Sequence, residues 1–134
     1  MTNKLSTDKD TFAIVNECGG RLPSLPFSLY KNKILGNKYE LDLIFVNDKK
    51  IRALNKTFRK KDSATDILSF PIDKNLGQIF ICEKIAKKKA KEFDREYNNF
   101  LSFLFIHGAV HLLGYDHGKK MERLEAKYRR IFKI

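Results

Sequence analysis

Residues 100–117 read FLSFLFIHGAVHLLGYDH, and this stretch decides the fold. Apolar side chains fill nearly every position from 100 to 113, so a helix formed here is apolar nearly all round and should lie at the centre of the protein. A membrane span needs roughly 20 apolar residues, whereas this run has about 14 and contains two histidines. The pattern therefore predicts a buried central helix that ends at Gly114, where glycine can adopt a left-handed conformation.

All three histidines of the chain lie in this stretch, at His107, His111 and His117. Helical positions four residues apart differ by about 40° around the axis, so His107 and His111 project from one face, one turn apart. After Gly114 the chain turns back and can present His117 to the same ion. Three histidines leave the fourth position of a tetrahedral metal open for water, as in catalytic zinc sites. We therefore interpret them as the ligands of one Zn²⁺ per chain, although nickel, copper and cobalt also accept imidazole.

The same spacing occurs in the His-Glu-x-x-His-x-x-Gly-x-x-His zinc proteases, so the central helix is expected to be zincin-like. Gly108 stands where those proteases have their general-base glutamate. Glycine cannot accept a proton, which argues against proteolysis unless another carboxylate replaces it. Three neutral imidazoles leave the full charge on the metal ion, and nearby Lys and Arg would favour phosphate oxygens as its partners. The site therefore indicates metal-assisted hydrolysis of a nucleic-acid backbone.

The composition agrees with a polyanionic partner. The chain has 134 residues, with 27 Lys and Arg against 16 Asp and Glu, so its net charge is +11. This length fits a single domain, 1–134, and the charge favours nucleic acid, an acidic membrane surface or an acidic protein. Cys18 and Cys82 form no Cys-x-x-Cys pair, which suits a reducing cytoplasm. The N-terminal residues have no apolar segment of the secretory type.

Propensity and periodicity predict an α+β fold, with a small mixed β-sheet packed against helices. The predicted strands are 41–46, 67–70 (ending at Pro71) and 76–81, with a turn at 73–75. The predicted helices are 8–18, 49–57 (capped by Asn47-Asp48), 83–97, 98–114 and 119–132. Pro23 and Pro26 predict a loop, and the lysines of the 83–97 helix are interpreted as a solvated face.

Three motifs resemble those of the YbeY family of single-strand-specific metallo-endoribonucleases, also described as rRNA maturation factors. The first is the histidine stretch 107–117. The second, residues 54–71, is similar to the family's Asn-x-x-Tyr/Phe-Arg-x-x-Asp-x-x-Thr-Asp-Val-Leu-Ser-Phe-Pro block, and the third, residues 76–82, to its Leu-Gly-Asp-Ile strand. The likeness covers about 41–130, and residues 1–40 match poorly. Gln78 replaces the family's usual Asp, and Ala64 replaces a common Pro.

The resemblance implies a bacterial cytoplasmic enzyme with one zinc ion on the three histidines. It implies cleavage of single-stranded RNA in 16S rRNA 3′-end maturation and ribosome quality control, with the small ribosomal subunit as partner and neither a membrane nor DNA. It also implies that Arg59 is needed for activity, and the physical role we expect is a guanidinium fork on the scissile phosphate.

Two other functions stay open at this point: a zinc protease-like hydrolase, and a non-catalytic RNA- or ribosome-binding module with a structural metal. A structural zinc site would need a fourth protein ligand, for which the cysteines are candidates. Asp116 could hold a ligand imidazole or be a surface carboxylate. Asp66 could anchor the site or cap a turn.

Overall fold

A five-stranded mixed sheet forms one layer of the protein in the computed structural model, which describes residues 3–7 and 11–134. Its strands are β1 Asn3–Thr7, β2 Phe12–Asn16, β3 Glu40–Phe45, β4 Ile67–Asp73 and β5 Leu76–Ile81. The strand order is β1-β2-β3-β5-β4. The central pairs β2–β3 and β3–β5 are parallel, and the outer pairs β1–β2 and β4–β5 are antiparallel. The predicted α+β class with a small mixed sheet is confirmed.

Five helices in the described residues complete the fold: α1 Phe27–Ile34, α2 Asp48–Arg59, α3 Glu83–Glu92, α4 Tyr97–Leu112 and α5 Lys119–Phe132. The apolar helix α4 packs against α1, α3, α5 and the strands β4 and β5, so it lies at the centre as predicted. Its buried side chains include Leu101, Phe105 and Val110, which join the main core cluster with the inner face of the sheet. None of the helices in the described ranges is long and apolar enough to cross a bilayer.

Helix α2 forms where the sequence predicts it. The Asn47 side chain accepts a hydrogen bond from the Lys50 backbone N–H at 2.8 Å, which satisfies one of the unpaired amides at the helix start. Ile51 is fully buried beneath the helix. Lys60 adopts a left-handed conformation with φ of 57° and ends the helix directly after Arg59. This stop fixes the position of Arg59 at the C-terminus of α2.

The prediction of a helix over 8–18 is wrong for the part of this range that the structure describes. Residues 12–16 form β2, and residues 8–10 lie outside the described residues. Ile14 and Val15 are β-branched, and β2 is hydrogen-bonded on both sides, to β1 and to β3, which outweighs the weak helical pattern. Helix α1, between the Pro23–Pro26 loop and β3, was not predicted.

Two predicted boundaries also differ. The strand expected to stop at Pro71 continues to Asp73. In the described residues β4 is an edge strand that pairs with β5, and a proline without an N–H is tolerated on such a strand. The helix expected over 83–97 ends at Glu92, because Asp94 turns left-handed with φ of 53°. The Glu96 carboxylate then accepts hydrogen bonds from the first backbone amides of α4. The apolar periodicity runs across this break, which the sequence pattern alone does not reveal.

Candidate metal centre

The three histidines converge at the C-terminal end of α4. His107 and His111 project from the helix, and His117 follows Gly114, which has φ of 100° and turns the chain back. One nitrogen from each ring lies within 4.8 Å of the other two. The ring centroids are 4.9 Å apart for His107 and His111, 4.8 Å for His111 and His117, and 5.5 Å for His107 and His117. The structure therefore brings together all three predicted ligands.

Hydrogen bonds set the ring orientation of the two helical histidines. His111 Nδ1–H donates to the Tyr115 backbone carbonyl at 3.0 Å, which requires the proton on Nδ1. His107 Nδ1 lies 2.8 Å from Oε1 of Glu125 and donates to that carboxylate. A neutral ring that donates from Nδ1 has its lone pair on Nε2, where a metal ion can bind. Such outer hydrogen bonds hold ligand imidazoles in one tautomer and orientation.

Glu125 is the site residue that sequence reasoning missed. It lies on α5 and is only 7% exposed, although carboxylates are rarely buried without a partner. Asp116, the residue considered for holding an imidazole, is exposed and makes no hydrogen bond or ion pair within the described part of the chain. The sequence could have indicated this position, because Glu125 lies four residues after the apolar Met121 and therefore on the apolar side of an amphipathic helix.

Burial lowers the pKa of His111 below its ordinary value of 6.5. The neighbouring histidines His107 and His117 lower it further, and the Arg59 guanidinium adds a smaller effect of the same sign. The hydrogen bond to Tyr115 acts in the opposite direction. The neutral imidazole, which is the metal-binding form, is therefore favoured.

Arg59 lies at the end of α2, close enough to the cluster for its charge to act on His111. Its Nη2 donates to the Ser69 carbonyl oxygen of edge strand β4 at 3.4 Å. The Ser69 hydroxyl in turn donates to the Gly108 carbonyl on α4 at 3.2 Å. The side chain of Arg59 is exposed, so most of its donors remain available to a ligand.

Gly108 faces the sheet. A Cβ at this position would lie 2.8 Å from Ser69 Oγ and 2.9 Å from Ile67 Cδ1. A glutamate there would point into the contact between α4 and β4 and would displace those side chains. The close approach of helix and strand thus explains why the residue used as a base by zinc proteases is absent here.

The remaining candidates take structural positions. Asp66 is nearly buried and pairs with Lys89 on α3 at 3.4 Å, and Cys82 N–H donates to its backbone carbonyl at 2.9 Å. Gln78 lies in β5 between Asp42 and Phe70 of the adjacent strands. Within the described ranges, the group able to share an ion consists of the three histidines, and neither Cys82 nor Cys18 belongs to it.

The fold and the site define a class: small α+β proteins whose central helix carries a His-x-x-x-His pair, completed by a third histidine beyond a glycine turn. The family model described as "Endoribonuclease YbeY" matches residues 25–133. The chain therefore belongs to the Endoribonuclease YbeY family, as the resemblance implied.

Individual relatives agree with this assignment. The chain is 34% identical to the Endoribonuclease YbeY of Finegoldia magna over 131 residues, covering 92% of this chain and 86% of the relative. It is 43% identical to that of Nautilia profundicola over 98 residues, 70% of each chain. The solution structure of TM1509 from Thermotoga maritima superposes with a TM-score of 0.59 at 29% identity, covering 80% of this chain and 79% of that one.

Proposed function

We propose that this protein is a metal-dependent endoribonuclease that hydrolyses phosphodiester bonds of single-stranded RNA. The observation that carries the proposal is the convergence of three imidazoles whose nitrogens lie within 4.8 Å of one another. Membership of the Endoribonuclease YbeY family supports the reaction class.

The donor set fits one zinc ion held by His107, His111 and His117. Two of the three rings have Nδ1 engaged in hydrogen bonds, which leaves Nε2 as the nitrogen that can bind the metal. A zinc ion bound there would supply Lewis-acid activation of water and of a phosphate oxygen. The Glu125 carboxylate orients the His107 ring and the Tyr115 carbonyl orients the His111 ring, each through a hydrogen bond to Nδ1.

Arg59 is proposed as the residue that binds the scissile phosphate. Its planar guanidinium can donate two parallel hydrogen bonds to phosphate oxygens and stabilise the charge that develops there. The Ser69 carbonyl of β4 accepts one N–H and orients the group, so Arg59 would reach the ligand from the end of α2 while His107 and His111 would reach it from α4.

The cellular role proposed is 16S rRNA 3′-end maturation and ribosome quality control in the cytoplasm, with the small ribosomal subunit as partner. The motif resemblance supports this role, and the net charge of +11 supports an RNA partner.

The test combines metal analysis of the purified protein with cleavage of matched single- and double-stranded RNA, with and without chelator. We expect one zinc ion per chain and chelator-sensitive cleavage of the single strand. His111→Ala should abolish both metal binding and cleavage. Cleavage that persists in metal-free His111→Ala protein would disprove the site. Loss of the fold in His117→Ala would instead favour a structural metal.

A further inference from the structure

We propose that a groove on α5 beside the histidines is a subsite for the single-stranded RNA segment that flanks the scissile phosphate. The groove has a volume of about 300 Å³ and is lined by Tyr115, Lys120, Arg123, Leu124 and Lys127. This volume lies at the lower end of the range for small-ligand pockets. The inference rests on the proposed function, because it names where that substrate would lie.

Tyr115 links the groove to the candidate metal centre. Tyr115 contributes its backbone carbonyl to His111 at 3.0 Å, while its side chain, 38% exposed, lines the groove. One residue thus belongs to both places.

The cations of the groove share one face of α5. Positions 120, 123 and 127 are spaced by three and four residues, which places them on one side of a helix over about 10 Å. Within the part of the chain that the structure describes, no carboxylate forms an ion pair with any of them. By contrast, Lys84 on α3 and Arg52 on α2 are neutralised by aspartates. Unpaired cations retain their attraction for a polyanion.

The Tyr115 ring favours single-stranded RNA over a duplex or an acidic peptide as the ligand of the groove. A phosphate-bearing strand can place its backbone along the cations and stack an unpaired base on Tyr115, and such stacking accepts every base. A duplex keeps its bases stacked internally and offers no face to the ring. An acidic peptide could use the cations but would gain little from the tyrosine. The combination favours single-stranded RNA.

The experiment measures binding of a fluorescent oligouridine of about 12 nucleotides, by anisotropy at a series of salt concentrations in chelator, with strand integrity checked on a gel. We compare wild type, Tyr115→Ala and the triple variant Lys120→Gln/Arg123→Gln/Lys127→Gln. The matched control is Lys87→Gln/Lys88→Gln/Lys91→Gln on α3, which removes the same charge from another helix.

We expect Tyr115→Ala and the α5 triple variant each to weaken binding about tenfold or more, and the α3 control to change it less than about threefold. Loss of three phosphate contacts should reduce the slope of log K against log salt by about 2. Equal losses in the two triple variants would overturn the proposal, because net charge alone would then explain binding. An unchanged Kd in Tyr115→Ala, or displacement by polyglutamate as effective as by polyuridine, would also overturn it.

Cleavage by the metal-loaded wild type, measured in parallel, separates this proposal from the proposed function. If the wild type cleaves single-stranded RNA and the α5 triple variant binds it as tightly as the wild type does, the subsite is wrong and the function stands. If neither binding nor cleavage is observed, both are wrong.

Discussion

The Glu125 carboxylate on α5 receives a hydrogen bond from the His107 imidazole on α4 at 2.8 Å. This contact joins the two helices at the candidate metal centre and sets the orientation of the His107 ring relative to the other histidines. Helix α5 is an amphipathic surface helix, and through the buried Glu125 carboxylate it also contributes a residue to the histidine cluster.

Removing this contact should weaken metal binding. We expect Glu125→Gln to lower zinc affinity about 10- to 100-fold, because the amide no longer stabilises the Nδ1–H tautomer as a carboxylate does. Competition with a chromophoric chelator measures the affinity, and circular dichroism checks the fold. Glu122→Gln, an exposed carboxylate of the same helix, is the control. Equal affinities for wild type and Glu125→Gln would contradict the role.

Arg59 should matter for turnover and not for the metal. We expect Arg59→Glu to retain zinc and lower kcat about 10²- to 10³-fold, because the charge that develops on the phosphate loses its donor. Arg59→Lys should recover only part of the rate, since an ammonium cannot form the planar fork. Lys56→Glu, on the same helix, controls for the change in charge. Normal cleavage of single-stranded RNA by Arg59→Glu would show that the assigned role is wrong.

Gly108 should tolerate no side chain. We expect Gly108→Ala to lower the free energy of unfolding by about 1–3 kcal/mol, because the new methyl group meets Ser69 and Ile67. Gly108→Glu should be less stable still and should digest no peptide library. Urea unfolding measures the first effect. A stable Gly108→Glu protein would contradict the packing argument.

The free energy of unfolding should depend on pH at alkaline values because of Tyr97. Burial, and then the hydrogen bond and charge of Glu83, raise the pKa of Tyr97 above its ordinary value of 10. The folded state therefore binds this proton more tightly than the unfolded state, so the stabilisation is complete below pH 10 and is lost as the pH rises beyond it.

The check compares urea midpoints at pH 8 and pH 11. Tyr97→Phe should lose about 1–2 kcal/mol at pH 8, because the hydrogen bond to Glu83 is gone. Between pH 8 and pH 11 the stability of Tyr97→Phe should then fall less than that of the wild type. A parallel decline in both proteins would show that Tyr97 does not contribute.

The sequence was most informative where the chemistry is local. The convergence of the three histidines, the glycine turn at Gly114 and the Asn47 cap depend on neighbouring residues, and the structure has each of them as predicted. Periodicity predicted the wrong structure at two places. The β2 segment forms a strand because it is hydrogen-bonded on both sides, and α3 ends early because Asp94 adopts a left-handed conformation. Glu125 was missed because its contact with His107 joins two helices, between residues 18 positions apart in sequence.

Ser69 links both halves of the proposed catalytic apparatus. Its hydroxyl bonds to the helix that carries His107 and His111, and its carbonyl receives the Arg59 guanidinium. Edge strand β4 therefore separates the histidine cluster from Arg59, the residue proposed to bind phosphate, by a fixed distance. The consequence is preorganisation: folding alone sets the distance between these groups, so under the proposed function they would need no rearrangement when substrate binds.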